Sequence, residues 1–267
     1  MISLLLVALI DPSAAQGEFS IQVRAFHQKD DRDGCASLFL AHPAAVLPAI
    51  EGFFERALSL REGRRDEDVE PARAQEQLAV WSARVARDAL GAPLVADLAA
   101  SRAGWTESDR RLHREARAVH AKALGAIEKG ENRLGLEAGL ESTTRSLALG
   151  DWRGAAMGHQ TAAIAHQALS SLDDALIAWN QARLIFRELG ARDEELACQR
   201  AVVDMCQATD RFERGREAAD QAVSLAQLLG NKKAQSELLE RRAGFEEKLG
   251  LREAAAATRA AAKALGG

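Results

Sequence analysis

The chain has 267 residues, of which 47% are apolar, so it can bury a large core, and disorder is not its expected state. A net charge of −4 lacks the basic footprint that phosphate backbones require, which argues against a nucleic-acid partner. Tyr is absent, aromatics total 4%, and Ala, Leu, Arg and Glu dominate, a balance that favours helix over sheet.

The chain opens on MISLLLVALIDPSAAQG. Ile2 to Ile10 form an apolar run of signal-peptide length, and Ser13-Ala14-Ala15 supply small residues of the kind a signal peptidase cuts after. On this reading residues 1–15 are removed and the mature chain is periplasmic or secreted. The n-region has no Lys or Arg, and the competing reading is a buried first helix in a cytoplasmic protein. The run is too short to span a bilayer, so no membrane span is expected in the mature chain.

Residues 16–105 are irregular. Cys35 to Arg65 reads as two helices broken at Pro43 and Pro48. Arg64 to Gln77 reads as a charge-rich connection containing Pro71, and QLAVWSARVARDALG as an amphipathic helix ending at Gly91. Together they are expected to form atypical helical hairpins that cap one end of a repeat array.

All five prolines lie at or before Pro93, leaving the rest of the chain free for long helices. Helices are predicted at about 107–128, 133–149, 152–169, 173–189, 192–208, 212–229, 231–248 and 252–265. Thr106 and Asp109 form a weak capping box before the first of them, and Asp151 and Asn231 are further caps. Leu-Gly recurs at 149–150, 189–190 and 229–230, a period of 40, and again at 265–266. Gly just past a periodic helix is the expected C-cap. Turns fall in mid-unit near Gly130, Ser171, Thr209-Asp210 and Gly250, which divides 106–267 into units of about 111–150, 151–190, 191–230 and 231–267. Small residues fall in columns: Gly135, Ala175, Gly215 and Ala254, then, seven residues on, Ser142, Ala182, Ala222 and Ala261. Between them stand Gly139, Trp179, Ala219 and Thr258. Two small residues seven apart share a helix face and allow close helix approach.

Ala175-x-x-x-Trp179-x-x-Ala182 resembles the small-xxx-large-xx-Ala pattern of the second helix of tetratricopeptide repeats, and Gly215, Ala219 and Ala222 repeat it. The 40-residue unit, the missing closing proline and the absence of Tyr place the sequence nearer the longer-helix variants of that family. The resemblance covers roughly 111–267. It implies an all-α fold, a right-handed α-α superhelix of stacked antiparallel helix pairs whose concave side binds peptides or partner domains. It also implies that the first helix of each pair lines that side, placing Gln160, Gln167, Arg200, Asp204 and Gln207 there. Their polar side chains suit the reading of a peptide backbone. Trp179 reads as core. Long repeats behind a signal-like start also resemble the N-terminal portion of bacterial proteins that carry a caspase-like domain after the repeats. This chain stops at Gly267, where such a domain would begin, so any protease activity is expected to belong to a partner.

Chemistry-bearing motifs are missing: there is no phosphate loop, dinucleotide fingerprint, nucleophile elbow or HExxH string. His113 and His120 are seven apart, as are His159 and His166, and two helical turns are too long a span for one ion to be chelated by both. Cys198 and Cys206, eight apart on one helix, lie beyond disulfide reach and read as small buried hydrophobes. Paired acids such as Asp173-Asp174, Asp193-Glu194-Glu195 and Glu246-Glu247 read as helix starts or polar faces. The chain is therefore expected to be a non-catalytic scaffold without metal or cofactor, its partner another protein or a peptide. The alternative is a regulatory or sensory module that binds a small effector or signal peptide.

Overall fold

The computed structural model describes residues 14–63 and 65–266; the apolar run that carries the export reading lies outside them. The described residues are helical with no strand, and the chain divides into two compact units that meet between Leu90 and Gly91. No helix among them is long and apolar enough to cross a membrane.

The first unit holds α1 (Ala14–Gln28), α2 (Arg32–Ala41), α3 (Pro43–Glu62), a 3-10 turn (Asp66–Asp68) and α4 (Val69–Leu90). Helix α4 packs against the other three. Phe19 stacks on Phe39 at 5.9 Å, Val23, Ile50 and Phe53 are buried beside them, and the Trp81 indole donates to Asp30 Oδ1 at 2.8 Å. The structure departs from expectation at two prolines. Pro43 begins α3 as expected, but Pro48 lies inside it rather than breaking it. An interior proline costs about 3 kcal/mol, and the burial of Val46, Leu47, Ile50, Phe53 and Phe54 on the same helix outweighs it. Pro71 does not sit in a connection: α4 already begins at Val69, and Pro71 occupies its first turn, where a missing N–H costs nothing.

The second unit holds α5 (Pro93–Ala103), α6 (Glu107–Glu128), α7 (Asn132–Ala148), α8 (Trp152–Ala168), α9 (Leu172–Glu188), α10 (Arg192–Ala208), α11 (Phe212–Leu228), α12 (Lys232–Lys248) and α13 (Arg252–Gly266). From α6 on, each helix packs against the next, giving a solenoid of antiparallel pairs α6/α7, α8/α9, α10/α11 and α12/α13. Helices α7 to α12 are each 17 residues long. The second residue past each helix from α6 to α12 takes positive φ: Gly130, Gly150, Ser170, Gly190, Asp210, Gly230 and Gly250. Spaced by 20, they halve the 40-residue interval visible in Leu-Gly. Each closes a Schellman motif; Gly190 N–H, for example, donates to Arg187 O at 3.0 Å and Ala191 N–H to Phe186 O at 2.9 Å.

Two of these positions carry a side chain in the left-handed region, Ser170 (φ 62°) and Asp210 (φ 53°). A Cβ there opposes the local conformation. Ser170→Gly and Asp210→Gly are each expected to stabilise the unit by about 0.5–1 kcal/mol. Chemical denaturation checks this; a loss of stability in both variants would contradict the assignment of these turns.

The last repeat corrects the predicted register. The 20-residue turn spacing carries through to Gly250, so Ala255 and Ala262, both 1% exposed, continue the columns of Gly215 and Ala222. Ala254 and Ala261, expected there, are exposed. The Ala-rich run offered near-identical residues at either register, and only the turn position discriminates between them.

Helix α5 is a feature the periodicity did not reveal. It packs on α8 and α9. A Cβ on Gly190 would sit 3.2 Å from Ala92, and one on Gly150 would sit 2.5 Å from Ser101 Oγ. The nine steps from residue 92 to residue 101 rise about 13.5 Å, so α5 bridges the turns that end α7 and α9.

Candidate functional site

The first helices of the pairs, α6, α8, α10 and α12, are linked to one another directly. Helix α6 packs on α8 and α10 on α12, and polar bridges tie each neighbouring pair. His120 Nε2 on α6 lies 3.0 Å from Thr161 Oγ1 on α8. Thr161 donates its own hydroxyl proton to Met157 O, so His120 Nε2 is the donor to Thr161. Burial lowers the His120 pKa, and burial also lowers that of His159. Arg153 on α8 donates to Glu194 on α10 at 3.2 Å. Arg200 on α10 donates to Glu237 on α12 at 2.7 Å, and Arg241 on α12 pairs with Asp204 and donates to Gln207 at 3.1 Å.

Three of the five expected site residues, Arg200, Asp204 and Gln207, are thus gathered into one ladder between α10 and α12. Gln160 and Gln167 stand two turns apart on α8, both half-buried, and the ladder does not include them. The ladder's other half, Glu237 and Arg241, was missed. The signal was present: opposite charges recur at a spacing of 37 residues, near one repeat, in Arg200/Glu237 and Asp204/Arg241. Exposed ion pairs contribute only about 0–1 kcal/mol each, so the ladder orients these groups more than it stabilises the fold.

A second polar cluster is buried. Asp151, the N-cap of α8, accepts from Arg102 Nη2 at 2.9 Å, and its other oxygen lies 3.0 Å from His113 Nδ1. All three side chains are at most 6% exposed. The Trp105 ring lies 4.8 Å from the His113 ring and 5.6 Å from the Arg102 guanidinium, and its indole donates to Leu149 O at 3.0 Å. Burial alone would raise the Asp151 pKa, but the Arg102 charge and the bonds from His113 and Arg102 outweigh it and hold the carboxyl well below its usual range. An acid–histidine pair is also a part of hydrolytic sites. Here both partners are sealed from solvent and join α5, α6 and α8, so the cluster acts as a clasp. The sequence marked Asp151 as a cap but gave no sign of its partners, which are 49 and 38 residues away.

Other groups follow from burial. Cys35, Cys198 and Cys206 are all buried; burial pushes the thiols of Cys35 and Cys198 up to about 12 and that of Cys206 upward, which keeps them protonated and poor nucleophiles. Trp179 is 6% exposed and lies in the core, as expected. Glu246 is a correction: rather than on a polar face it is 1% exposed, with Arg242 Nε at 2.9 Å and Thr258 Oγ1 at 2.8 Å. Among the described residues no group of three or more His, Cys, Asp or Glu could hold a metal ion.

No protein-family model matches the chain, and no curated protein matches it. Among solved structures it is similar to the crystal structure of BtubC (BKLC) from P. vanneervenii, at 14% identity over 95% of this chain and 91% of that chain, with a TM-score of 0.49.

Proposed function

We propose that the second unit is a tetratricopeptide-like scaffold that holds a protein or peptide along the face of its first helices. The observation that carries this reading is the ladder of Arg200, Asp204, Gln207, Glu237 and Arg241, in which groups able to bind a peptide are already fixed in place. Preorganisation of this kind lowers the entropic cost of binding. Gln160 and Gln167 extend the same face by one repeat and supply amide donors and acceptors for a backbone. Direct packing of α6 on α8 and of α10 on α12 supports a superhelix curved toward this side, right-handed in the manner of the family.

Affinity capture of the chain from its native host, followed by mass spectrometry, tests the proposal. The expected result is a polypeptide whose binding weakens roughly tenfold when Gln160→Ala and Gln167→Ala are combined. Recovery of a tightly bound small molecule with no polypeptide would overturn it in favour of a sensory module.

A further inference from the structure

The second helices carry an outward groove of about 500 Å³ between α9 and α11, lined by Asp173, Leu176, Ile177, Leu184, Arg211 and Arg214 among others. It departs from the repeat in two ways. At the outward positions of neighbouring repeats the chain has Glu137 and Glu217, yet Ile177 stands between them, 58% exposed. Thr144 and Ser224 likewise flank Leu184, 41% exposed. The two aliphatic side chains are seven residues apart and share one face of α9. The second departure is charge. Arg211 is the N-cap of α11 and Arg214 lies in its first turn, where the equivalent residue of α9 is Asp174. Cations at a helix N-terminus work against the helix dipole. Arg211 is compensated by Asp173 at 2.6 Å, whereas Arg214 has no acidic partner among the described residues. Apolar side chains and excess positive charge therefore coincide at one groove, where the repeat pattern calls for neither.

We propose that this groove docks a segment of a partner protein that combines aliphatic side chains, seated on Ile177 and Leu184, with a carboxylate paired to Arg214. The complementarity is electrostatic at the α11 end and hydrophobic along α9. The site lies wholly on second helices and is independent of the first-helix face.

The test is selection of a random 12-residue peptide library, displayed on phage, against the full chain. The expected outcome is enrichment of peptides that carry acidic residues and an aliphatic pair. Their binding should fall roughly tenfold or more in Ile177→Glu and in Arg214→Asp, and be unchanged by the Gln160→Ala, Gln167→Ala pair. Both groove variants place residues that sibling repeats already hold at the same positions, and circular dichroism checks that they fold. Selected peptides without acidic enrichment, no enrichment at all, or binding indifferent to both groove variants would overturn the proposal. So would a concentration-dependent dimer that Ile177→Glu dissolves, because the occupant would then be a second copy of the chain.

Discussion

Asp151→Ala is expected to destabilise the second unit by about 3–5 kcal/mol, because it takes the carboxylate away from the buried Arg102 guanidinium and removes the α8 cap in one step. For a unit of this size that lowers Tm by roughly 10 °C. Arg102 has 6% of its side chain exposed and cannot recruit water to replace the carboxylate. A double-mutant cycle separates the terms. Arg102→Met combined with Asp151→Leu removes both charges, and its cost is expected to fall well below the sum of the single changes. The pH dependence has a defined sign. The folded carboxyl titrates below its unfolded value, so its contribution is complete above about pH 4 and is lost as pH falls toward the folded pKa. The stability gap between wild type and Asp151→Asn should therefore narrow as pH falls below about 4. A gap that widened in acid would contradict the assignment of Asp151 as the ionised member of the clasp.

Gly158→Val is expected to cost about 3 kcal/mol or more. Gly158 sits where α8 crosses α7. A Cβ there would lie 2.9 Å from the backbone nitrogen of Thr143 and 3.0 Å from the carbonyl oxygen of Gly139, and would overlap the Thr143 hydroxyl. Two of these three obstacles are backbone, which no rotamer change relieves, so the helices would have to separate. Gly244→Ala on α12 is the control: a Cβ there meets nothing within 4 Å, and Ala for Gly in an open helix position gains about 0.5–1 kcal/mol. Denaturant titration of the two variants should show opposite signs. Tolerance of Gly158→Val would contradict the close α7–α8 crossing.

What was legible in the sequence was whatever repeats locally. Leu-Gly marked the turns after α7, α9 and α11, and alternation of helix and cap placed the array's helices within a residue or two at each end. The mid-unit turns were legible too, but the left-handed conformation of Ser170 and Asp210 was not, because a side chain stands there where the other turns have Gly. Composition also misled in the Ala-rich last helix, where neighbouring alanines differ only in burial. Proline is an imperfect helix boundary: Pro48 and Pro71 both lie within helices, one held by the burial around it, the other in a first turn where it costs nothing. In the site, family resemblance put Arg200, Asp204 and Gln207 on one face, their partners on α12 were marked only by opposite charges one repeat away, and the Arg102–His113–Asp151 clasp depends on tertiary packing that no local pattern encodes.

The most direct measurement is site-specific photo-crosslinking in the native host, with benzoylphenylalanine in place of Gln160, Gln167 or Gln207. A scaffold that works through its first helices should give a crosslink to the same polypeptide from all three positions and none from Glu137 or Thr144, exposed on α7 and outside the α9–α11 groove. Absence of polypeptide crosslinks at the three first-helix positions, with the probe shown to be incorporated, would contradict it.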